Sequence, residues 1–219
     1  MGRPRPAACD HRGGGSVDGV EGNAVEGDGA ALLVGEGVRL RAWRAADLDA
    51  LVRHADDPRI PPGLSDRFPS PYTRVDGEAF LSGRVIDLSD PVFAIEVDGE
   101  ARGGIGARPF AGERSVGAEF GYWLAPAYWG RGLMTRVVAT FAPWVMDTLA
   151  LERLQATVLD FNQASARVLE KNGFVQEGVM RSAVRKRGRI HDLHLYARVR
   201  GDGPSAGADT AVGRHCARV

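Results

Sequence analysis

The run Tyr128-Trp129-Gly130-Arg131-Gly132-Leu133-Met134-Thr135 places two glycines and a cation at the start of an apolar helical stripe, a combination that can hold a phosphate. Lacking a Cβ, Gly130 and Gly132 let the backbone curl and aim successive N–H groups outward, while the following helix adds the positive end of its dipole. The same glycines could equally make a tight strand-to-helix connection, and the run by itself leaves both readings open. A second polar unit, Asn162-Gln163-Ala164-Ser165, opens a helix directly after the next strand, so two loops at one sheet edge can face one ligand. His191 and His194 lie three residues apart on a strand and so point to opposite faces, which argues against a metal site.

The elements that must position these loops follow from periodicity. Val38–Trp43 reads as a strand, followed by a helix of about ten residues through Leu48, Leu51 and Val52. Residues from Ile60 to Thr73 are too rich in proline for regular helix, and Asp76–Leu88 resumes helical spacing with Phe80, Leu81 and Val85. Val92–Val97, Arg102–Phe110 and Ser115–Leu124 read as three strands of an antiparallel meander, with Asp98-Gly99 and Ala111-Gly112 as hairpin signals. Met134–Leu149 carries a helical stripe, in which Pro143 is expected to kink the helix or end it early. Leu154–Leu159 is the next strand, Ala164–Lys171 a short helix stopped at Asn172-Gly173, and Phe174–Met180 and Ile190–Val199 a closing strand pair. The sum is an α+β fold, a mixed and mostly antiparallel sheet with helices on both faces.

Length and composition bound the rest. The 219 residues, 44% hydrophobic, suit one domain with extensions, expected at 37–200 between disordered tails at 1–36 and 201–219. With 28 basic and 28 acidic residues the formal net charge is zero, so no global field draws the chain to nucleic acid or an anionic membrane. Cys9 and Cys216 sit in the extreme tails, which argues against a disulfide framework or a Cys-ligated metal. No run approaches the ~18 apolar residues of a membrane span, and Met1–Gly15 lacks the apolar part of a signal peptide. A cytoplasmic location is expected.

Several spaced motifs, in one order, resemble the GNAT superfamily of acyl-CoA-dependent N-acetyltransferases, specifically its RimJ/RimL-like branch acting on ribosomal-protein N-termini. The resemblance runs from about Val38 to Arg198. It is carried by Glu119 through Gly121-Tyr122-Trp123-Leu124 to the glycine turn, by Asn162 with Ser165, and by Leu169-Glu170-Lys171-Asn172-Gly173-Phe174 with Glu177-Gly178. Arg67-Phe68-Pro69-Ser70-Pro71-Tyr72-Thr73 and Asp192 with Tyr196 also look like that branch. It implies acetyl-CoA as co-substrate, a primary-amine acceptor, no metal, no direct nucleic-acid role, and a possible homodimer. The pantetheine arm would lie along backbone of Trp123, Leu124 and Ala125, and the pyrophosphate on N–H groups from Gly130 through Arg131, Gly132, Leu133 and Met134 to Thr135, with Trp129 beside them among the residues that hold the coenzyme. Asn162 would bond the pantetheine amides, and Ser165 would lie near the thioester sulfur.

An ammonium cannot attack a thioester, so the reaction implied needs a carboxylate to take its proton and a donor for the departing thiolate. Glu119 is the candidate base, with an ordinary strand glutamate bonded to a neighbouring arginine as its other reading. Ser165 is the candidate acid, or simply a first-turn helix cap. Phe68 and Tyr72 are candidate walls of the acceptor site, or part of a packed connector. Arg185-Lys186-Arg187-Gly188-Arg189 reads as a solvated hairpin tip, with contact to an acidic acceptor or ribosomal RNA as the alternative. A protein N-terminus is the expected acceptor. A small-molecule acetyltransferase acting on aminoglycosides, polyamines or amino acids is the first rival, and a non-catalytic acyl-CoA-binding sensor the rival from another class.

Overall fold

A computed structural model describes residues 31–35 and 37–201. Its strands are β1 (Leu32–Gly35), β2 (Val38–Ala42), β3 (Val92–Val97), β4 (Glu100–Pro109), β5 (Gly117–Leu124), β6 (Arg153–Leu159), β7 (Val175–Lys186) and β8 (Arg189–Val199), and its α-helices are α1 (Leu48–Ala55), α2 (Arg74–Leu81), α3 (Leu133–Thr148) and α4 (Gln163–Glu170). The strands make one sheet ordered β1-β2-β3-β4-β5-β6-β8-β7. Every neighbouring pair is antiparallel except β5 and β6, which α3 joins as a parallel crossover.

Alternation sorts each strand between two faces. On one, Leu40, Ile95, Ile105, Phe120, Leu154 and Tyr196 pack against Val137, Phe141 and Val145 of α3 and Leu169 of α4. On the other, Leu51 and Ala55 of α1 and the buried Tyr72 gather Trp43, Phe68, Phe80, Leu81 and Trp123. The mixed sheet covered by helices on both faces is the expected architecture.

Four boundaries depart from expectation, each for a local reason. The tail expected through residue 36 gives way at Leu32, because Leu32 and Val34 alternate onto the core while Leu33 stays out, and four residues are too few for a period to show. The expected disorder of residues 1–30 and 202–219 lies outside the described residues. The helix expected over 76–88 runs instead over Arg74–Leu81. Thr73 and Asp76 form its capping box, and Gly83 (φ 75°) stops it with Gly83 N to Phe80 O and Arg84 N to Ala79 O, both 3.0 Å. Pro143 does not end α3: its forfeited bond would reach the carbonyl of exposed Ala139, which water can satisfy, while buried Phe141, Ala142, Val145 and Met146 hold the helix on the sheet. The strand expected to close at Met180 continues to Lys186 through an irregularity between Met180 and Val184.

Candidate functional site

The parallel pair β5–β6 is short. Its register holds only Gly117 with Arg153, Ala118 with Leu154 and Glu119 with Gln155. Beyond Glu119 the strands part, although β5 runs on to Leu124 and β6 to Leu159. Backbone groups of Phe120–Leu124 that do not face β4 therefore have no strand partner on that side, and an extended guest can bond to them as an added strand. At the far end the edge is closed internally: Trp129 Nε1 donates to Leu124 O at 2.7 Å and Ala125 N donates to Arg102 O at 2.8 Å. Ala125, expected to offer backbone to the guest, spends its N–H on β4.

The glycine turn sits at the mouth of this gap. Gly130 and Gly132 have φ of 72° and 70°, the left-handed region that side chains rarely adopt, and a Cβ on either would meet no protein atom within 4 Å. Gly132 is the N-cap of α3 and brings no capping side chain. Among the described residues, the N–H groups of Gly130 through Thr135 have no acceptor within the protein, and the first bond of the helix is Arg136 N to Gly132 O. Leu133 and Met134 bury their side chains in the core, so the bulk of Met134 stays clear of the N–H cluster. Arg131 is exposed, its guanidinium 5.7 Å from the Tyr128 ring centroid. Backbone donors so arranged beside a cation have the chemistry to receive an anion.

Glu119 lies at the vertex where the strands part. Its carboxylate accepts from Thr157 Oγ1 at 3.4 Å and stands 3.5 Å from Arg108, its cross-strand neighbour. Ser165 lies on the other side of β5, where its hydroxyl is 2.8 Å from Tyr122 Oη. The structure thus sets the two candidate proton-transfer groups on opposite faces of one strand, with the open gap between. The cap of α4 is Asn162, whose Oδ1 accepts from Ser165 N at 3.2 Å; the Ser165 hydroxyl is left to Tyr122. Burial pushes the Tyr122 phenol up to about 12 although the Ser165 bond lowers it, so the pair is neutral at ordinary pH.

Of the expected acceptor walls, Phe68 packs on Trp123 with centroids 5.8 Å apart and so borders the gap. Tyr72 is 5% exposed, packed on Phe68 and α1, and borders a cavity of ≈ 200 Å³ with Pro61, Pro69 and Pro71; burial and Asp76 push its phenol up to about 12.

The family model described as "Acetyltransferase (GNAT) domain" matches residues 38–175, a span that includes the splayed parallel pair and the glycine turn. The chain belongs to the GNAT acetyltransferase family. An uncharacterized N-acetyltransferase of Bacillus licheniformis is 26% identical over 172 residues, covering 75% of this chain and 94% of that protein. The ribosomal-protein-serine acetyltransferase of Escherichia coli is 29% identical over 82 residues, 37% of this chain and 46% of that one. Matches to two Bacillus subtilis N-acetyltransferases, YoaA and YjcK, reach 47% and 44% of those relatives' lengths. Among solved structures, Mycobacterium smegmatis RimJ in complex with CoA-disulfide superposes with a TM-score of 0.68 at 27% identity, covering 77% of this chain and 84% of that one.

In this GNAT chain three features of the site escape sequence reading. Tyr122 belongs to the stretch that carries the family resemblance but has no role assigned by it, and its 2.8 Å contact with Ser165 is what gives it one. The Trp129 indole bond to Leu124 O depends on the turn of Pro126–Tyr128 folding back, which no periodicity encodes. Lys186 looked solvated within its basic run, yet it is 9% exposed and bonded to Leu64 O and Asp66 Oδ1, both at 2.6 Å.

Proposed function

We propose that the protein transfers an acetyl group from acetyl-CoA to the N-terminal amine of a peptide or protein, by direct attack in a ternary complex. The observation that carries this reading is the unpaired edge of β5 together with the unpaired N–H groups of Gly130–Thr135 beyond its internally bonded end, two sets of backbone groups suited to pantetheine and to pyrophosphate. The acceptor class rests on the likeness to ribosomal-protein acetyltransferases and on the aromatic border formed by Phe68 and Trp123. In the proposed reaction Glu119, directly or through water, takes a proton from the ammonium. The neutral amine attacks the thioester carbonyl, and a β5 backbone N–H steadies the oxyanion. Collapse breaks the carbon–sulfur bond; the thiolate takes its proton from Ser165, held by Tyr122, and the second proton, shed by the attacking nitrogen, restores the Ser165 hydroxyl through water. No covalent enzyme intermediate forms.

The deciding experiment is acetyl-CoA-dependent thiol release against N-terminal Ala, Ser and Thr peptides, polyamines, aminoglycosides and free amino acids, with products weighed by mass spectrometry. Release that follows the peptides is expected. Turnover confined to the small amines rejects the peptide acceptor, and silence with acetyl-CoA binding retained rejects all of these acceptors in favour of one outside the panel or of a non-catalytic acyl-CoA binder.

The placement of the pyrophosphate has its own test. Gly132→Val is expected to weaken coenzyme A about ten- to a hundredfold by calorimetry, the loss of one or two charge-assisted bonds from backbone N–H groups. Gly112→Val is the control, since Gly112 also has positive φ (64°) and open space around it but lies in the β4–β5 turn. Equal affinity in the two variants places the phosphates elsewhere.

A further inference from the structure

The β7–β8 hairpin is tethered just below its exposed tip. Its tip is only Arg187-Gly188, with φ of 47° and 79°, and the Lys186 bonds to Leu64 O and Asp66 fasten it to the proline-rich loop. Behind this fastening lies a cleft of ≈ 390 Å³ lined by Pro62, Phe161, Lys186, Arg187, Arg189 and His191. His191 Nδ1 is 2.9 Å from Asp160 Oδ1, and its ring meets Phe161 edge-on at 4.9 Å. Asp66 therefore answers Lys186 and Asp160 faces His191, while among the described residues Arg187 and Arg189 have no carboxylate partner. The result is a concave, cationic site with one aromatic wall.

Its position links it to the gap. Phe161 directly precedes Asn162, the cap that bonds Ser165 N, and the Asn162 amide also abuts Gly63, where a Cβ would lie 2.9 Å from Nδ2. The cleft thus shares, through Phe161, the loop that leads into α4, whose first turn carries Ser165.

The geometry points to a carboxylate-binding subsite: we propose that Arg187 and Arg189 bind an acidic side chain of the acceptor, so that the preferred substrate is a peptide with Asp or Glu within a few residues of its amine. This rests on the peptide reading given above. A peptide fits better than RNA because Asp66 and Asp160 at the edge of the cleft oppose a polyanion.

The test compares kcat/KM for N-terminal Ser peptides carrying Asp or Glu at the second to fourth positions with their Asn or Gln counterparts. Acidic peptides are expected to be favoured about tenfold, one charge-assisted hydrogen bond, mainly through KM. The ratio should collapse toward one in Arg187→Ala/Arg189→Ala and largely persist in Arg187→Lys/Arg189→Lys, with thermal melts confirming that both variants fold. A ratio near one in the native protein overturns the subsite while leaving peptide acetylation standing. A ratio near one together with oligoribonucleotide binding that needs both arginines also overturns it and assigns the face to RNA. Turnover of small amines but of no peptide removes the underlying reading and the subsite with it.

Discussion

Glu119→Gln is expected to lower kcat/KM at pH 7 by about two to three orders of magnitude, the usual worth of a positioned general base, while leaving acetyl-CoA affinity unchanged. Glutamine keeps the shape and can still accept from Thr157, so the change removes little except the proton-accepting oxygen. The Glu119 side chain is 33% exposed and its ion pair with Arg108 is long at 3.5 Å, so stability should move by no more than about 0.5 kcal/mol. A pH series separates base catalysis from positioning. A peptide α-amine titrates near ~8, so by about pH 9 most of the acceptor is already neutral and the deficit of the variant should narrow. A deficit constant across pH would mean that Glu119 orients the acceptor rather than taking its proton. An unchanged rate at pH 7 would leave it the strand glutamate that Arg108 holds.

How far the sequence discloses this site depends on the range of the interaction involved. Gly130 and Gly132 were legible because a left-handed turn before a helix demands glycine locally, and both have the positive φ that this requires. The hairpin at Asp98-Gly99 was legible for the same reason, with φ of 51° and 83°. The facing of Glu119 away from Phe120 and Tyr122 followed from strand alternation alone. The divergence of β5 from β6 did not, because it depends on where pairing stops between segments joined only through α3. Lys186 failed for a related cause: its acceptors, Leu64 O and Asp66, lie 122 and 120 residues away in sequence, and a run of like charges carries no trace of them. Asn162 and Ser165 are legible as a unit, but the cap proves to be Asn162 and not Ser165, since sequence spacing does not say which of two polar residues turns inward.

The frame beneath the aromatic border holds a second large effect. Arg41 is 4% exposed and forks onto Asp47, Nη1 to Oδ2 at 2.7 Å and Nη2 to Oδ1 at 2.8 Å, while its Nε bonds to Glu96, itself 4% exposed. Asp47 also accepts from Arg44 N at 2.8 Å, so one guanidinium ties β2 and β3 to the start of α1, the helix that backs Trp43 and Phe68. Arg41→Met is expected to cost about 3–5 kcal/mol in urea unfolding, because it strands two buried carboxylates with only Arg39 left beside Glu96. Burial by itself would raise the Glu96 carboxyl, but the bonds from Arg39 and Arg41 outweigh it and hold that group below the usual glutamate range. In the native protein Glu96 therefore adds stability that is complete above the ordinary glutamate value and lost as the pH falls through its depressed one. In Arg41→Met the balance reverses, since protonating either stranded carboxylate relieves the repulsion between them and the cost of burying a charge. The gap between variant and native protein should accordingly shrink as the pH is lowered from 7 toward about 4. A gap that stays constant over that range would trace the loss to packing of the arginine stem instead of to its charge. The double variant Arg41→Met/Glu96→Gln should recover part of the loss at pH 7, because it removes one stranded charge along with its partner.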